Sequence, residues 1–278
     1  MQLTELAYLN VLSYEVAKRG YIKGDVEIEL RHMGFDGCYF GDVGGIQYLA
    51  LHKAKEKETV LVFSGTNELW DWKYNLKVRP KDGMHRGFLE AYKEIEIPIR
   101  TVMINFFKRF GRTDRLRVTG HSLGGAVAQI FSWMMGKETK VEATTFGSPR
   151  VFTRWKKGLN QTFQNNVTNV QIKGDPVTRI PLLLYKEVGK QVKLTMSGDG
   201  ESGNPLRSHS MKMYLKLTLE RDEEQNERKS NCKEGGCRGT ERCSCTVPHS
   251  SDSERRGKSH RDHECDPPCR KEWCTCRS

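Results

Sequence analysis

The segment Gly120-His121-Ser122-Leu123-Gly124 lies between a strand-like run, residues 116–119, and a helix-like run, residues 125–135. A Gly-X-Ser-X-Gly sequence at a strand-to-helix turn is typical of a nucleophile elbow. There the strand and the helix come so close that neither glycine position has room for a Cβ atom. The serine stands at the helix N-terminus, where backbone N–H groups can stabilise negative charge. We therefore expect a strand-turn-helix unit with a reactive serine; the alternative is a glycine-rich turn with a capping serine.

Strand-like and helix-like segments alternate along the first 220 residues. β-branched and aromatic residues between Gly and charged turns predict strands at 26–30, 46–52, 60–63, 116–118, 141–146 and 167–172. Apolar residues at helical spacing predict helices at 6–16, 88–110, 125–135, 154–163 and 211–219. This order predicts an α/β fold with a mostly parallel central sheet flanked by helices on both faces.

The composition changes near residue 221. The 58 residues from Arg221 to Ser278 hold 13 Lys or Arg and 12 Asp or Glu, but only Val247 and Trp273 from among Ala, Val, Ile, Leu, Met, Phe, Trp and Tyr. Such a segment cannot bury enough apolar surface to offset the entropy of ordering it. We expect a folded body at 1–220 and a largely disordered, charged, Cys-rich tail at 221–278. The body has 33 basic and 23 acidic side chains, so it carries about +10 of the net charge of +11.

A serine hydroxyl needs a base and an acid partner to act as a nucleophile. In chains with this type of elbow, the acid and the histidine follow the serine in that order. Asp175 comes at the end of the predicted strand 167–172, where parallel sheets collect functional residues. His209 is the only histidine between Asp175 and the tail. We expect both to complete the site with Ser122; a turn aspartate and a solvated loop histidine are the alternatives.

Four further segments, in chain order, extend the pattern around the elbow. They are Phe63-Ser64-Gly65-Thr66 with Asp71-Trp72 and Asn75, His85-Arg86-Gly87-Phe88, Thr145-Phe146-Gly147-Ser148-Pro149-Arg150-Val151, and Asp175-Pro176-Val177. Together with residues 118–126 they resemble the class 3 lipases, the fungal-lipase-like branch of the α/β-hydrolases. The resemblance covers most of the body. Ser64 departs from the pattern, since the family more often has Arg there.

The resemblance implies an α/β-hydrolase that cleaves carboxylic esters of lipids through an acyl-enzyme. It implies Ser122 as nucleophile, Asp175 as orienting acid and His209 as general base, with an oxyanion hole made by the backbone N–H groups of Thr66 and Leu123. Such a reaction requires no cofactor or metal. We expect an acylglycerol-type lipid ester as substrate, at a membrane or lipid-droplet surface. The alternatives are a phospholipase, an esterase on soluble esters, and a non-catalytic lipid-binding or interaction protein.

Two apolar segments near the predicted site have open roles. Leu69, Trp70, Trp72 and Tyr74 fit a small interfacial lid. Alternatively, Trp72 packs in the core and only Trp70 is exposed. The segment 181–185, Pro-Leu-Leu-Leu-Tyr, fits an acyl-pocket wall or the start of a buried strand. Burial is the default expectation for its leucines.

Eight of the nine cysteines lie in the tail and form an approximate repeat. The two sets are Cys232-X4-Cys237-X5-Cys243-X-Cys245 and Cys265-X3-Cys269-X4-Cys274-X-Cys276. Four thiolates suit tetrahedral zinc, so two structural zinc sites are one prediction. Disulfides, with 105 possible connectivities, and reduced thiols in a disordered tail are the alternatives.

The cellular setting is predicted from what the sequence lacks. No run approaches the roughly 20 apolar residues that span a bilayer. An early Glu5, with Asn10 and Ser13 interrupting the apolar run, does not fit a secretory signal. We therefore expect a cytoplasmic protein with peripheral membrane contact, favouring anionic surfaces because of its basic body. Nucleic acid is not an expected partner, because no phosphate-binding loop or interleaved aromatic and basic pattern occurs.

Overall fold

A mostly parallel β-sheet organises the part of the chain that the computed structural model describes, residues 1–65, 79–196 and 205–233. In chain order the elements are α1 (Leu3–Arg19), α2 (Gly24–His32), β1 (Gly37–Val43), β2 (Ile46–Lys53), β3 (Glu58–Phe63), α3 (Arg86–Phe110), β4 (Arg115–His121), α4 (Leu123–Met135), β5 (Val141–Phe146), β6 (Phe152–Thr153), α5 (Gln161–Asn165), β7 (Val167–Ile172), a 3₁₀ turn (Val177–Arg179), β8 (Tyr185–Lys186), β9 (Lys190–Leu194), α6 (Pro205–Ser208) and α7 (Met211–Lys233). The chain divides into two units, Met1–Asn226 and Glu227–Ser278. The sites described below lie in the first unit.

The strands of the main sheet have the order β1-β2-β3-β4-β5-β7-β9. The strands β1 to β3 pair antiparallel, whereas each neighbouring pair from β3 to β9 is parallel. The short strands β6 and β8 form a separate antiparallel ribbon. The parallel strands end at one common edge, where α/β proteins place their ligand-binding loops. The predicted α/β architecture with a mostly parallel central sheet is confirmed.

Alternate residues of the central strands face two different apolar layers. In β2, Tyr48 and Ala50 belong to the layer that contains α3 and α4, whereas Leu49 and Leu51 belong to the layer that contains α1, α2 and α7. Because side chains alternate along a strand, a sheet covered on both faces needs nearly continuous burial. All of β3 is buried in this way. Helices therefore flank the sheet on both faces, as the sequence predicts.

Residues 26–30 belong to a helix, so the predicted strand there is wrong. The sequence Val-Glu-Ile-Glu-Leu alternates like a strand, but in α2 only Val26 and Leu30, four residues apart, are buried. The intervening Ile28 is exposed. Arg31 and Glu27 form an ion pair at 2.7 Å with the i,i+4 spacing of a helix. A five-residue alternation fits the period of a strand and that of a helix equally well, so packing against the rest of the protein decides between the two structures.

The predicted helix at 154–163 is also wrong over most of its length. After β6 ends at Thr153, the chain turns through Gly158, whose φ of 83° interrupts a right-handed helix. Asn160 then caps the short helix α5, since its side chain accepts a hydrogen bond from the Phe163 N–H at 2.9 Å. The glycine and the cap set the true boundaries, which apolar spacing did not indicate.

The sequence pattern missed two strands of the main sheet, the short ribbon strands β6 and β8, the short helix α6 and part of helix α7. The strands β1 and β9 are the outermost strands of the main sheet and have mixed burial, so their apolar signal is weak. The helix α7 continues past residue 219 to Lys233. Its added part is rich in Glu, Arg and Lys, which have good helix propensity without apolar burial. Within the described residues, no helix combines the length and the apolar character that crossing a bilayer requires.

The apolar segment before β8 is exposed, so the expected burial of its leucines is wrong. Leu182, Leu183 and Leu184 are 60%, 83% and 47% exposed, whereas Tyr185 is buried at the start of β8. Leu183 has a φ of 40°, a left-handed conformation that turns the chain before the strand begins. The start of a buried strand is therefore correct only at Tyr185.

Candidate active site

The elbow between β4 and α4 has the strained geometry that its sequence predicts. Ser122 has a φ of 56° and a ψ of −123°, values that a residue with a Cβ rarely adopts. A Cβ on Gly120 would lie 2.2 Å from the Gly124 carbonyl oxygen, and one on Gly124 would lie 2.0 Å from the Phe63 carbonyl oxygen. The Ser122 N–H donates to the Phe146 carbonyl oxygen at 3.0 Å. Close backbone contacts on both sides therefore hold the serine in place.

Asp175 and His209 lie in contact, although 34 positions separate them in the sequence. Asp175 follows β7, and His209 comes two residues before α7. Nδ1 of His209 is 3.0 Å from Oδ1 and 2.8 Å from Oδ2 of Asp175. A carboxylate only accepts hydrogen bonds, so Nδ1 carries the proton. The Val177 N–H also donates to Oδ1 at 2.9 Å, which fixes the carboxylate above the 3₁₀ turn.

The end of β5 touches both halves of the site. The Phe146 carbonyl accepts the Ser122 N–H, and a Cβ on the next residue, Gly147, would lie 3.1 Å from the His209 ring and 2.9 Å from Asp175. Nε2 of His209 is buried and has no hydrogen-bond partner among the described residues. The structure thus pairs Asp175 with Nδ1 of His209. It leaves Nε2 of His209 without a partner among the described residues, at the same sheet edge as Ser122.

Tyr214 is a member of this cluster that the sequence did not indicate. Its hydroxyl donates to Oδ2 of Asp175 at 2.6 Å and accepts from the Ile172 N–H at 3.1 Å. Burial, reinforced by the charge of Asp175, raises the pKa of Tyr214 well above its usual value, so the hydroxyl keeps its proton. Tyr214 follows His209 by five residues in α7. It occupies an apolar position of the helix, where no motif distinguishes it from a core residue.

His121 links the elbow to the histidine loop. Its Nε2 donates to the backbone carbonyl oxygen of His209 at 2.8 Å, because a carbonyl can only accept. Its Nδ1 then accepts from the Tyr14 hydroxyl at 2.7 Å. Burial, followed by the neighbouring His209, lowers the pKa of His121 well below its usual value. His121 is therefore a neutral ring with both nitrogens engaged.

The strand that precedes the predicted oxyanion residue is also held against the serine. The Tyr14 hydroxyl accepts a hydrogen bond from the backbone of Gly65. A Cβ on Gly65 would lie 3.2 Å from the Ser122 Cβ. Leu123 is buried as the first residue of α4. Thr66, the other predicted oxyanion residue, lies outside the described residues.

Several other predictions fall on parts of the chain that are not described. The lid residues Leu69, Trp70, Trp72 and Tyr74 lie outside the described ranges, as do seven of the eight tail cysteines; for Cys232 only the backbone, in α7, is described. Within the described ranges, no group of three or more His, Cys, Asp or Glu side chains could hold a metal ion. Cys38, in the body, is a free thiol.

Known proteins resemble this chain in sequence or in fold. A family model described as "Lipase (class 3)" matches residues 60–185. A secreted mono- and diacylglycerol lipase from Fusarium solani is 33% identical over 165 residues, which cover 54% of this chain and 47% of that protein. A chloroplastic phospholipase A1 from Arabidopsis thaliana is 33% identical over 110 residues, covering 35% of this chain and 17% of that protein. The solved Rhizomucor miehei lipase–propeptide complex has a TM-score of 0.56 at 19% identity, covering 78% of this chain and 79% of that one.

The structural similarity defines the class of fold, which is that of the α/β-hydrolases. The class 3 lipase model, over residues 60–185, and the Fusarium relative support the family predicted from the motifs. The chain spans about half the length of the Fusarium relative and less of the Arabidopsis one.

Proposed function

We propose that this protein hydrolyses carboxylic esters of lipids through an acyl-enzyme formed on Ser122. The observation that carries the proposal is the contact between Asp175 and His209 at the sheet edge that also presents Ser122 on its strained elbow. Strain of this kind persists only where surrounding contacts enforce it, and it concentrates at functional sites. The match of residues 60–185 to the class 3 lipase family model supports the same class of reaction.

In the proposed first half-reaction, the Ser122 Oγ attacks the ester carbonyl carbon while its proton passes to Nε2 of His209. The other nitrogen, Nδ1, keeps its proton in the hydrogen bond to Asp175, so a charged imidazolium forms beside a carboxylate. The bond to the alcohol oxygen then breaks, and His209 returns the proton to that oxygen. A water molecule repeats these steps on the acyl-enzyme, which releases the fatty acid and restores Ser122.

We assign the oxyanion hole to the backbone N–H groups of Leu123 and Thr66. The first N–H groups of a helix have no intrahelical acceptor and lie at its positive end. Leu123 is the first residue of α4, so its N–H suits a developing negative charge. The contact of Gly65 with Tyr14 and Ser122 supports the assignment of its neighbour, Thr66.

We propose an acylglycerol-type lipid ester as the substrate. The Fusarium relative, which is named a mono- and diacylglycerol lipase and is 33% identical over 165 residues, supports this choice. A phospholipid is the second candidate, because the Arabidopsis relative is named a phospholipase A1. A purely non-catalytic role is disfavoured, since Ser122, Asp175 and His209 are all retained.

The test is a lipid-extract hydrolysis screen read by mass spectrometry, with wild-type protein and the Ser122→Ala variant in parallel. We expect the wild type alone to deplete one lipid class and release matching fatty acid. Lyso-phospholipid products would select the phospholipid candidate, and hydrolysis of soluble esters alone would select the esterase. A folded wild type that consumes no ester of any kind, or equal consumption by Ser122→Ala, would remove the proposal.

The predictions for the tail and the cellular location stay predictions. We propose that residues 1–220 suffice for hydrolysis and that residues 221–278 bind structural zinc through their two sets of cysteines. Protein purified under reducing conditions is then expected to hold about two zinc ions per chain. A chain ending at Glu220 should hold none and keep its activity. For the location, the Fusarium relative is named as secreted, which differs from the cytoplasmic prediction.

A further inference from the structure

Three consecutive leucines are exposed in the loop that follows the Asp175 turn. Leu182, Leu183 and Leu184 are 60%, 83% and 47% exposed, and we call them the leucine loop. Single exposed apolar residues are ordinary on a protein surface, whereas a contiguous apolar group indicates a contact site. Leu183, the most exposed of the three, has a left-handed φ of 40°. Such a conformation is unfavourable for a leucine, so the surrounding structure holds this side chain outward.

The leucine loop is fastened to the body at both ends. The Arg150 N–H donates to the Ile180 carbonyl oxygen at 2.8 Å, before the loop. The Arg154 N–H donates to the Leu184 carbonyl oxygen at 2.9 Å, at its end. Immediately afterwards Tyr185 pairs with Thr153 in the β6–β8 ribbon. These backbone contacts make the loop a preformed projection of the body.

Basic side chains surround the base of the loop. Arg150, Arg154 and Lys186 line one open depression of about 450 Å³, together with Tyr185 and Glu187. We call these three cations the cationic rim. Glu187 pairs with Arg150 at 3.2 Å, but neither Arg154 nor Lys186 forms an ion pair with any described residue. The depression therefore keeps an uncompensated positive charge next to an apolar projection.

An apolar tip bordered by cations, two of which form no ion pair with the described residues, is typical of a peripheral membrane contact. Apolar side chains enter the boundary of the acyl region while Lys and Arg attract anionic head groups. We propose that the leucine loop and the cationic rim form a docking site for an anionic lipid surface. The Asp175 carboxylate accepts the Val177 N–H, at the start of the 3₁₀ turn that leads into the loop. Docking at this place brings lipid to the edge of the sheet that carries the proposed site.

The role of this docking site in substrate delivery rests on the proposed function. Docking itself requires no turnover. Binding is therefore measured with full-length Ser122→Ala protein by co-sedimentation with two kinds of vesicle. One consists of phosphatidylcholine alone, and the other also contains roughly 30% phosphatidylserine, which makes its surface strongly anionic. We expect partitioning onto the anionic vesicles to exceed that onto neutral ones by at least about 25-fold at low salt. High salt should abolish most of the difference, because exposed charges are screened.

Two sets of variants separate the apolar and the charged contributions. The double variant Arg154→Gln with Lys186→Gln should lower partitioning onto anionic vesicles about 25-fold, since each cation near such a surface contributes about fivefold. Its control is Lys55→Gln with Arg115→Gln, two exposed cations at the amino-terminal ends of β3 and β4, away from the site edge. This control should change binding less than about threefold.

For the apolar part, Leu183→Ser should lower binding to both vesicle types about tenfold. Ile97→Ser is the matched control, because Ile97 is 75% exposed on α3 and belongs to a different exposed apolar surface. It should leave binding unchanged. Circular dichroism and thermal unfolding of each variant confirm that the fold is retained.

Several outcomes would overturn the docking site. They are equal binding to neutral and anionic vesicles, equal losses from the rim and control cations, and a loss with Ile97→Ser instead of Leu183→Ser. Dimerisation that Leu183→Ser abolishes without a change in vesicle binding would show a self-association surface instead. The proposed hydrolysis fails separately, if the protein with Ser122 intact cleaves neither soluble nor lipid esters. Vesicle binding by Ser122→Ala does not depend on that result.

Discussion

Ser122 and Leu183 share a positive φ but differ in their surroundings. Ser122, with a φ of 56°, is 1% exposed, whereas Leu183, with a φ of 40°, is 83% exposed. The serine is enclosed by backbone from β3, α4 and β5, which leaves the elbow no alternative path. Among the described residues, backbone hydrogen bonds to Ile180 and Leu184 hold the two ends of the loop that carries the leucine. Packing therefore enforces the positive φ of Ser122, whereas anchoring of the loop ends enforces that of Leu183.

This difference explains why only one of the two regions could be predicted from the sequence. Close packing at the elbow requires glycine at positions 120 and 124, so the constraint can be recognised from the residue types in the sequence. At the loop, no residue type is demanded, and three leucines in a row indicated burial. The variants below test whether packing and anchoring act as described, in order of decreasing effect.

The largest effect is expected at Ser122 and His209. Ser122→Ala and His209→Ala should each lower turnover by roughly 10³-fold to 10⁶-fold, and the double variant should be scarcely worse, because nucleophile and base act as one unit. The measurement is kcat on an ester emulsion. His32→Ala, at the exposed end of α2, is the control and should retain full activity. Additive losses in the double variant would show that the two residues do not share a step.

The packing of the elbow is tested next by Gly124→Ala. The new Cβ would lie 2.0 Å from the Phe63 carbonyl oxygen, so backbone must move. We expect the free energy of unfolding to fall by about 3 kcal/mol or more, measured by urea denaturation. Gly24→Ala is the matched control, since no atom lies within 4 Å of its Cβ position. It should change stability by less than about 1 kcal/mol. Equal effects at the two glycines would contradict the enclosure of the elbow.

A smaller effect is expected from Tyr214→Phe, which removes the hydroxyl donor to Asp175 but keeps the ring. The carboxylate then holds the His209 ring less firmly, so kcat should fall about tenfold while KM stays nearly constant. Tyr39→Phe is the control, because Tyr39 is exposed on β1, the strand at the opposite edge of the sheet from β9. Its kcat should not change. An unchanged kcat in Tyr214→Phe would make this tyrosine a packing residue only.

The smallest effect is expected at the leucine loop. Leu183→Gly relieves an unfavourable φ, so it should raise the free energy of unfolding by about 0.5 to 1 kcal/mol. At the neighbouring Leu182, which has no positive φ, the same change should lower stability by a similar amount, because glycine adds entropy to the unfolded chain. Thermal and urea unfolding measure both. A loss of stability in Leu183→Gly would show that the loop is not strained.

The parallel sheet and the family resemblance could be predicted because both correspond to strong local sequence patterns. Buried strands such as β3 are nearly continuous apolar runs, and the elbow has its two glycines. The acid and the base were predicted from chain order and from the position of Asp175 at a strand end. The roles of those residues remain proposals.

The rest could not be predicted, because it depends on contacts between distant residues. Val26 and Leu30 face the core only once α2 is packed, and a five-residue alternation does not reveal this. Tyr214 looks like any apolar helix residue until its hydroxyl meets Asp175. The outward direction of Leu183 depends on anchoring contacts made through Arg150 and Arg154. These are tertiary effects that local periodicity does not contain.

The central claim is that Ser122 is the activated nucleophile of an ester hydrolase. A fluorophosphonate probe, which reacts covalently with activated serines, tests it most directly when the labelled peptide is mapped by mass spectrometry. The account predicts one adduct per chain, located on Ser122, and no adduct in the folded Ser122→Ala variant. A folded wild-type protein that stays unlabelled, or an adduct that persists in Ser122→Ala, would contradict the account.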